Sequence, residues 1–310
     1  MKKNKALPIL FTIVLLVAQL SGVAMGETNE TIYLTDMKGR EIVLEAPATR
    51  IVVLTPSDCE ILYAIGAGET LVGRGEYCDY PAEVNEIPVV QSGAQTNVEQ
   101  IIALQPQVVI MSTMAQTVEQ TEAMEAAGIK VVVNDAVDIE GVYQAISVIG
   151  AVTGMNAEAD ALIERMVNTF GEVAHKTSGE SGKTIYFEVS PLQWGLWTAG
   201  SGTFMDELAS MLGLTNAFAD VQSWGEISQE QVLMRDPDYI VTISMYYGEG
   251  PTPVEEIVSR EGWQDLKAVK NSAVINVDSN EISRPGPRLM DAVNTLYQII
   301  YEPETLAPAA

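Results

Sequence analysis

Between Arg50 and Asn134 the chain alternates short, wholly apolar runs with longer segments in which apolar residues recur every three or four positions. "RIVVL", "LVG", "QVVIM" and "KVVVN" are the apolar runs. Runs this short, with no polar residue on either face, read as strands buried on both sides. "SDCEILYAIGAG", "NVEQIIALQ" and "TVEQTEAMEAAG" fall between them with helical spacing, the first ending on Gly. Strand–helix alternation predicts a mostly parallel sheet with helices on both faces. Ahead of it, "TIYLTDMKGREIVLE" alternates apolar and polar residues around "DMKGR", which predicts a β-hairpin.

From Ile139 to Lys176 the strands stop. "IEGVYQAISVIGAVTG" and "AEADALIERMVNTFGEVAHK" are helical, the second with Asn156 as its expected N-cap. Leu162, Met166, Phe170 and Val173 share one face of a rod roughly 30 Å long. "TSGESGK" then reads as a linker. Alternation resumes with strands at "TIYFEV", "DYIVTIS" and "AVINV", and helices at "GTFMDELASMLG", "SQEQVLMRD" and "RLMDAVNTLYQIIYE". The second half repeats the first. "EILYAIG" returns as "ELASMLG", and "EQIIALQPQVVI" from Glu99 returns as "EQVLMRDPDYIV" from Glu230. The expected fold is α/β, with two similar lobes around central, mostly parallel sheets joined by one long α-helix. The parts are a leader (1–26), an N-terminal lobe (27–150), the connecting helix (151–177) and a C-terminal lobe (178–310). Facing strand ends would frame a ligand cleft between the lobes. A continuous helix resists hinge motion, so closure on a ligand is expected to be small.

Composition narrows the function. Hydrophobic content of 47% supports packed cores, and a formal charge of -25 excludes nucleic-acid binding through a general basic patch. The leader differs: "MKKNK" is basic, "ALPILFTIVLLVAQL" is apolar, and "SGVAMG" puts Ala24 and Gly26 at the -3 and -1 positions. That is the pattern of a secretory signal cleaved after Gly26, with an uncleaved anchor as the alternative. The expectation is an exported, extracytoplasmic chain, soluble or tethered. With no Cys at the junction, it is expected not to be a lipoprotein. Cys59 and Cys78 both follow predicted strands, and could form a disulfide or remain two independent thiols. The single His, His175, ends the connecting helix, so it reads as a solvated terminus and no His cluster or triad can be built.

Enzyme signatures are missing from the sequence. It has no GxSxG, Walker loop or HExxH, and no Gly-rich fingerprint follows the first strand of either lobe. The aromatic residues say more. Tyr77, Trp197 and Trp224 are expected on loops, where they would offer faces to a large, flat, partly apolar ligand, while Trp194 and Trp263 read as caps on local cores. Asn97 and Ser228 are expected N-caps, each with Gln three residues on, which places Glu99 and Glu230 in first helical turns. Each carboxylate there offsets a helix dipole. Its repetition in both lobes suits a symmetric partner carrying basic residues.

"RIVVLTPSDCEILYAIGAGETLVG", "YCDYPAEV", "NVEQIIALQPQVVIM", "WGEISQEQVLMRDPDYIV", "GWQDLKAVKNSAVINVD" and "RPGPRLMDA" together resemble the substrate-binding proteins of ABC importers for cobalamin, ferric siderophores and haem. The resemblance implies two lobes on a rigid helix, a monomer, and capture of a metal chelate for a permease dimer. It implies no resident cofactor or protein-bound metal, because cobalt or iron arrives inside the ligand. It assigns Glu99 and Glu230 to docking on permease Arg residues, a contact that mainly sets orientation and encounter rate. In the corrinoid-binding members Tyr77, Trp224 and Arg284 of "RPGPR" match ligand contacts, and Trp197 stands where they have a Phe. Gly93 and Asn280 depart from that pattern, replacing a Trp and an Asp. A corrinoid is favoured, with a ferric siderophore or haem as alternative; haem would need Tyr77, Tyr246 or Tyr247. The rivals are an exported α/β enzyme and a sensor that docks on a receptor kinase.

Overall fold

The computed structural model describes residues 31–114, 116–180 and 182–303. The leader, and with it the expected cleavage site, lies outside the described residues. Among the described residues, no helix is long and apolar enough to cross a membrane.

The hairpin forms as expected from β1 (Ile32–Thr35) and β2 (Glu41–Leu44). Its turn is held by Asp36, whose Oδ1 accepts from the Lys38 and Arg40 amides while Oδ2 accepts from the Val133 amide. The first lobe follows: β3 (Ile51–Val53), α1 (Pro56–Ala64), β4 (Leu71–Gly75), β5 (Val89–Val90), α2 (Val98–Ala103), β6 (Val108–Met111), α3 (Val118–Ala126), β7 (Lys130–Val133) and α4 (Ile139–Thr153). The sheet order is β5–β4–β3–β6–β7, and every pairing is parallel. Ile51, Val52 and Val53 are wholly buried, as a central parallel strand covered on both faces requires.

Helix α4 crosses residue 150 and ends at Gly154, whose φ of 75° only Gly adopts cheaply. Two residues later α5 (Asn156–Lys176) begins. Asn156 is therefore the first helical residue and not the cap; Met155 takes that place without a side-chain hydrogen bond. The tight reversal brings the two helices together at Gly150, where a Cβ would sit 2.6 Å from that of Ala159. Ala159, Leu162, Met166, Phe170 and Val173 form the buried stripe of α5. His175 is exposed at its end, as expected.

The second lobe contains β8 (Thr184–Ser190), β9 (Leu196–Ala199), α6 (Phe204–Met211), β10 (Thr215–Asn216), β11 (Trp224–Ile227), α7 (Gln229–Arg235), β12 (Tyr239–Thr242), α8 (Pro253–Ser259), α9 (Lys267–Lys270), β13 (Val274–Asn276), α10 (Ser279–Ser283) and α11 (Leu289–Tyr301). Its sheet is mixed. β8, β12 and β13 run parallel, while β9 and β11 are antiparallel additions on the other edge. Those two strands are hard to read because Gly195, Gly200 and Gly225 interrupt the local pattern. Gly200 is needed: a side chain there would run into the Val221 carbonyl.

One hydrophobic cluster runs from Ile51 and Val53 in the first sheet, through α4 and the α5 stripe, to Phe187 and Val241 in the second. Helix α5 packs against α4 on one side and against α6 and α11 on the other. Met166→Ala is expected to lower unfolding stability by about 2–5 kcal/mol in a urea titration. A change below about 1 kcal/mol would show that the stripe does not couple the lobes.

Candidate functional site

The repeated segment folds the same way twice. Asn97 Oδ1 accepts from the Gln100 amide at 3.0 Å and opens α2. Ser228 Oγ accepts from the Gln231 amide at 3.3 Å, and Gln231 Oε1 accepts from the Ser228 amide at 2.8 Å, a reciprocal cap on α7. Each short helix then ends in a left-handed residue, Gln105 with φ 50° and Asp236 with φ 44°. A Pro follows each, and the chain enters a central strand, β6 or β12. Glu99 and Glu230 are both exposed on the first turn of their helices. A hydrogen bond with Ser228 holds the Glu230 carboxyl below the usual range.

Exposed aromatic residues follow the carboxyl ends of strands in both sheets. Tyr77 follows β4 and is 72% exposed, while Tyr246 and Tyr247 follow β12 and are also exposed. Trp197 lies on β9, opposite Glu226, and Trp224 opens β11, so both stand on strands and not on the loops expected for them. β9 pairs antiparallel to β8, and β11 in turn pairs antiparallel to β9. Trp197 keeps an open face at 41% exposure, whereas the Trp224 ring packs on Phe204 with centroids 5.5 Å apart. Trp263 is wholly buried beneath the Arg260 guanidinium, as a core residue should be. Trp194 is 76% exposed after β8, so its expected place in a core is corrected.

Arg284 draws the lobes together. Its Nη1 donates to Glu60 Oε1 at 2.9 Å and to Asp79 Oδ1 at 2.6 Å, and its Nη2 donates to the Tyr77 carbonyl at 3.3 Å. Arg288 adds Nε to Glu60 Oε2 at 3.0 Å and Nη2 to Glu60 Oε1 at 2.7 Å. Burial pushes the Asp79 carboxyl up, but the Arg284 guanidinium overrides it and holds the group below its ordinary value. Nearby, the Phe204 amide donates to the Val137 carbonyl at 3.0 Å, and Glu207 Oε2 accepts from the Ile139 amide at 2.6 Å. These contacts also cross between the lobes. Beside them opens a cavity of about 340 Å³ lined by Thr55, Asp58, Ser112, Asn134, Val137 and Pro285. Asn134 Nδ2 donates to Asp58 Oδ1 at 2.9 Å inside it. Burial pushes the Asp58 carboxyl up to about 7 against the pull of that bond.

Cys59 on α1 and Cys78 after β4 are buried free thiols, and Cys78 Sγ donates to the Val53 carbonyl at 3.8 Å. The neighbouring Cys78 thiol, together with burial, pushes the Cys59 thiol far above its ordinary value. Among the described residues, no group of His, Cys, Asp and Glu could hold a metal ion.

The profile of the periplasmic binding protein family matches residues 51–281. The chain belongs to that family. An ABC transporter substrate-binding lipoprotein of Bacillus subtilis is 34% identical over 276 residues, covering 87% of this chain and 85% of its own. The vitamin B12-binding protein of Salmonella choleraesuis is 29% identical over 254 residues, covering 80% and 89%. A crystal structure of a possible iron-binding, periplasmic solute-binding protein from Staphylococcus epidermidis superposes with a TM-score of 0.69 at 29% identity, covering 82% of this chain and 99% of that one.

The Bacillus relative corrects one expectation for this periplasmic binding protein. The reading that it is not a lipoprotein rested on a missing Cys at a junction outside the described residues, and the relative is named a lipoprotein. The interlobe carboxylates Glu60 and Asp79 were not picked out in sequence. They lie 224 and 205 positions from Arg284, and no local pattern links them.

Two tests follow from this geometry. Glu60→Ala leaves Arg284 and Arg288 short of a buried partner, and a loss of roughly 3 kcal/mol in urea unfolding is expected. An unchanged midpoint would show that the clamp is dispensable. Asp58 has a raised pKa in the folded protein, so it favours folding below its ordinary value and loses that contribution as pH rises to about 7. Asp58→Asn should therefore melt about 5 °C or more above the parent at pH 8 and at a similar temperature at pH 4. An equal shift at both pH values would rule out titration of Asp58 as the cause.

Proposed function

We propose that this chain is the substrate-binding component of an ABC importer, taking a metal-chelate ligand, preferably a corrinoid, between its lobes and handing it to the membrane subunits. The observation that carries the reading is the repeated capped helix, which presents an exposed Glu on each lobe at an equivalent place. Glu99 and Glu230 dock on basic residues of a two-subunit permease. Surface charges of this kind govern encounter and orientation, not ligand affinity. The names of the relatives support the ligand class: one binds vitamin B12, and a second reading, an iron chelate, has its support in the Staphylococcus protein.

Tyr77 and Trp197 offer open aromatic faces to the ligand, and Trp224 backs them from its packing on Phe204. Arg284 acts through the Tyr77 carbonyl that it holds, because its Nη atoms are committed to Glu60, Asp79 and that carbonyl. The chelated metal comes inside the ligand, so capture needs no protein–metal bond and no resident cofactor. No chemical step is assigned, and the protein works as a monomer.

The reading is tested by titrating the protein's tryptophan fluorescence with cobalamin, haem and a panel of ferric siderophores. Saturable quenching by cobalamin at submicromolar concentration is expected. Quenching by an iron chelate alone moves the ligand to the second reading, and no response to any of them removes the ligand class. The double reversal of Glu99→Arg and Glu230→Arg should abolish uptake in cells and leave the titration unchanged. Uptake that survives would overturn the docking role.

A further inference from the structure

Cys59 lies between Asp58 and Glu60, and Cys78 between Tyr77 and Asp79. Arg284 Nη1 reaches both Glu60 and Asp79, so one guanidinium holds the two cysteine-bearing segments side by side. Arg74 fixes the second segment from the other direction, with Nη1 donating to the Cys78 carbonyl at 2.8 Å and Nε to the Ile87 carbonyl at 3.2 Å. Both thiols belong to the same core cluster and neither is exposed. A lone buried Cys is ordinarily a small apolar filler. Two in one core cluster, each next to a carboxylate that the same guanidinium grips, are placed for more than filling space.

We propose that Cys59 and Cys78 are a modification site, closing as a disulfide when the chain meets a disulfide-bearing oxidant and fixing the Tyr77–Asp79 segment to α1. In the exchange the oxidant's S–S bond breaks as the protein's forms, and the two thiol hydrogens pass to the oxidant's two sulfurs. The folded chain shields both thiols and disfavours the Cys59 thiolate, so exchange takes place during folding, before burial. Once closed, the bond constrains the chain between residues 59 and 78 and is itself shielded from reductant. The segment carries Tyr77, so its bearing on ligand capture rests on the function proposed above.

The test refolds the full chain with oxidised or with reduced glutathione, then alkylates each sample under denaturing conditions and weighs it. Oxidative refolding is expected to leave no alkylatable thiol, to join the Cys59 and Cys78 peptides in a digest, and to raise Tm by about 5 °C over the reduced chain. Amide hydrogen exchange across residues 76–79 is expected to slow. Two alkylated thiols, or glutathione mixed disulfides, after oxidative refolding would overturn the proposal. A bond that closes without slowing exchange at 76–79 would overturn its role in fixing the segment. None of these readouts depends on cobalamin, so they stand or fall apart from the ligand reading.

Discussion

The buried stripe of α5 is the constraint on which the rest of the structure depends. Each lobe has a sheet, but each sheet has two faces to cover, and one of them is closed by helices that also touch α5. Removing Leu162, Met166 and Phe170 from water therefore fixes the position of both sheets at once. The contacts of Arg284 with Glu60 and of Phe204 with Val137 then form between lobes that are already anchored. Gly150 allows the approach of α4 to α5 that this anchoring needs.

Polar contacts complete what the stripe begins. Glu60 accepts from Arg284 and Arg288, and the Phe204 amide and Glu207 carboxylate bond across the lobes to Val137 and Ile139. Breaking such buried charge pairs is costly, because each partner would be left desolvated and alone. A stiff helix and a charged clamp at the cleft both work against wide opening. A binding protein built this way would, under the proposed function, recognise its ligand mainly by a preformed surface.

Much of this was legible along the chain, for identifiable reasons. "RIVVL" and "QVVIM" declare themselves as strands because a strand covered on both faces has no room for polar residues. The helix at "AEADALIERMVNTFGEVAHK" shows its stripe because one side faces water. The N-caps at Asn97 and Ser228 were readable because their hydrogen bonds span three residues. Strands β9 and β11 were not, because glycines required by a close backbone approach break their pattern. Trp194, expected in a core, is exposed, since local spacing does not tell which side of a loop meets solvent.

By itself, then, the sequence determined the alternating strands and helices of the first lobe, the connecting helix, the repeat and the pair of equivalent glutamates. All of these rest on interactions within a few residues or on a period of the chain. Only the tertiary structure decided that Arg284 belongs to a clamp with Glu60 and Asp79, that Cys59 and Cys78 share one core cluster, and that Asp58 is buried with Asn134. Those contacts join positions far apart in the chain, and nothing local to either partner encodes the other. Packing of the two lobes on one helix brings them together.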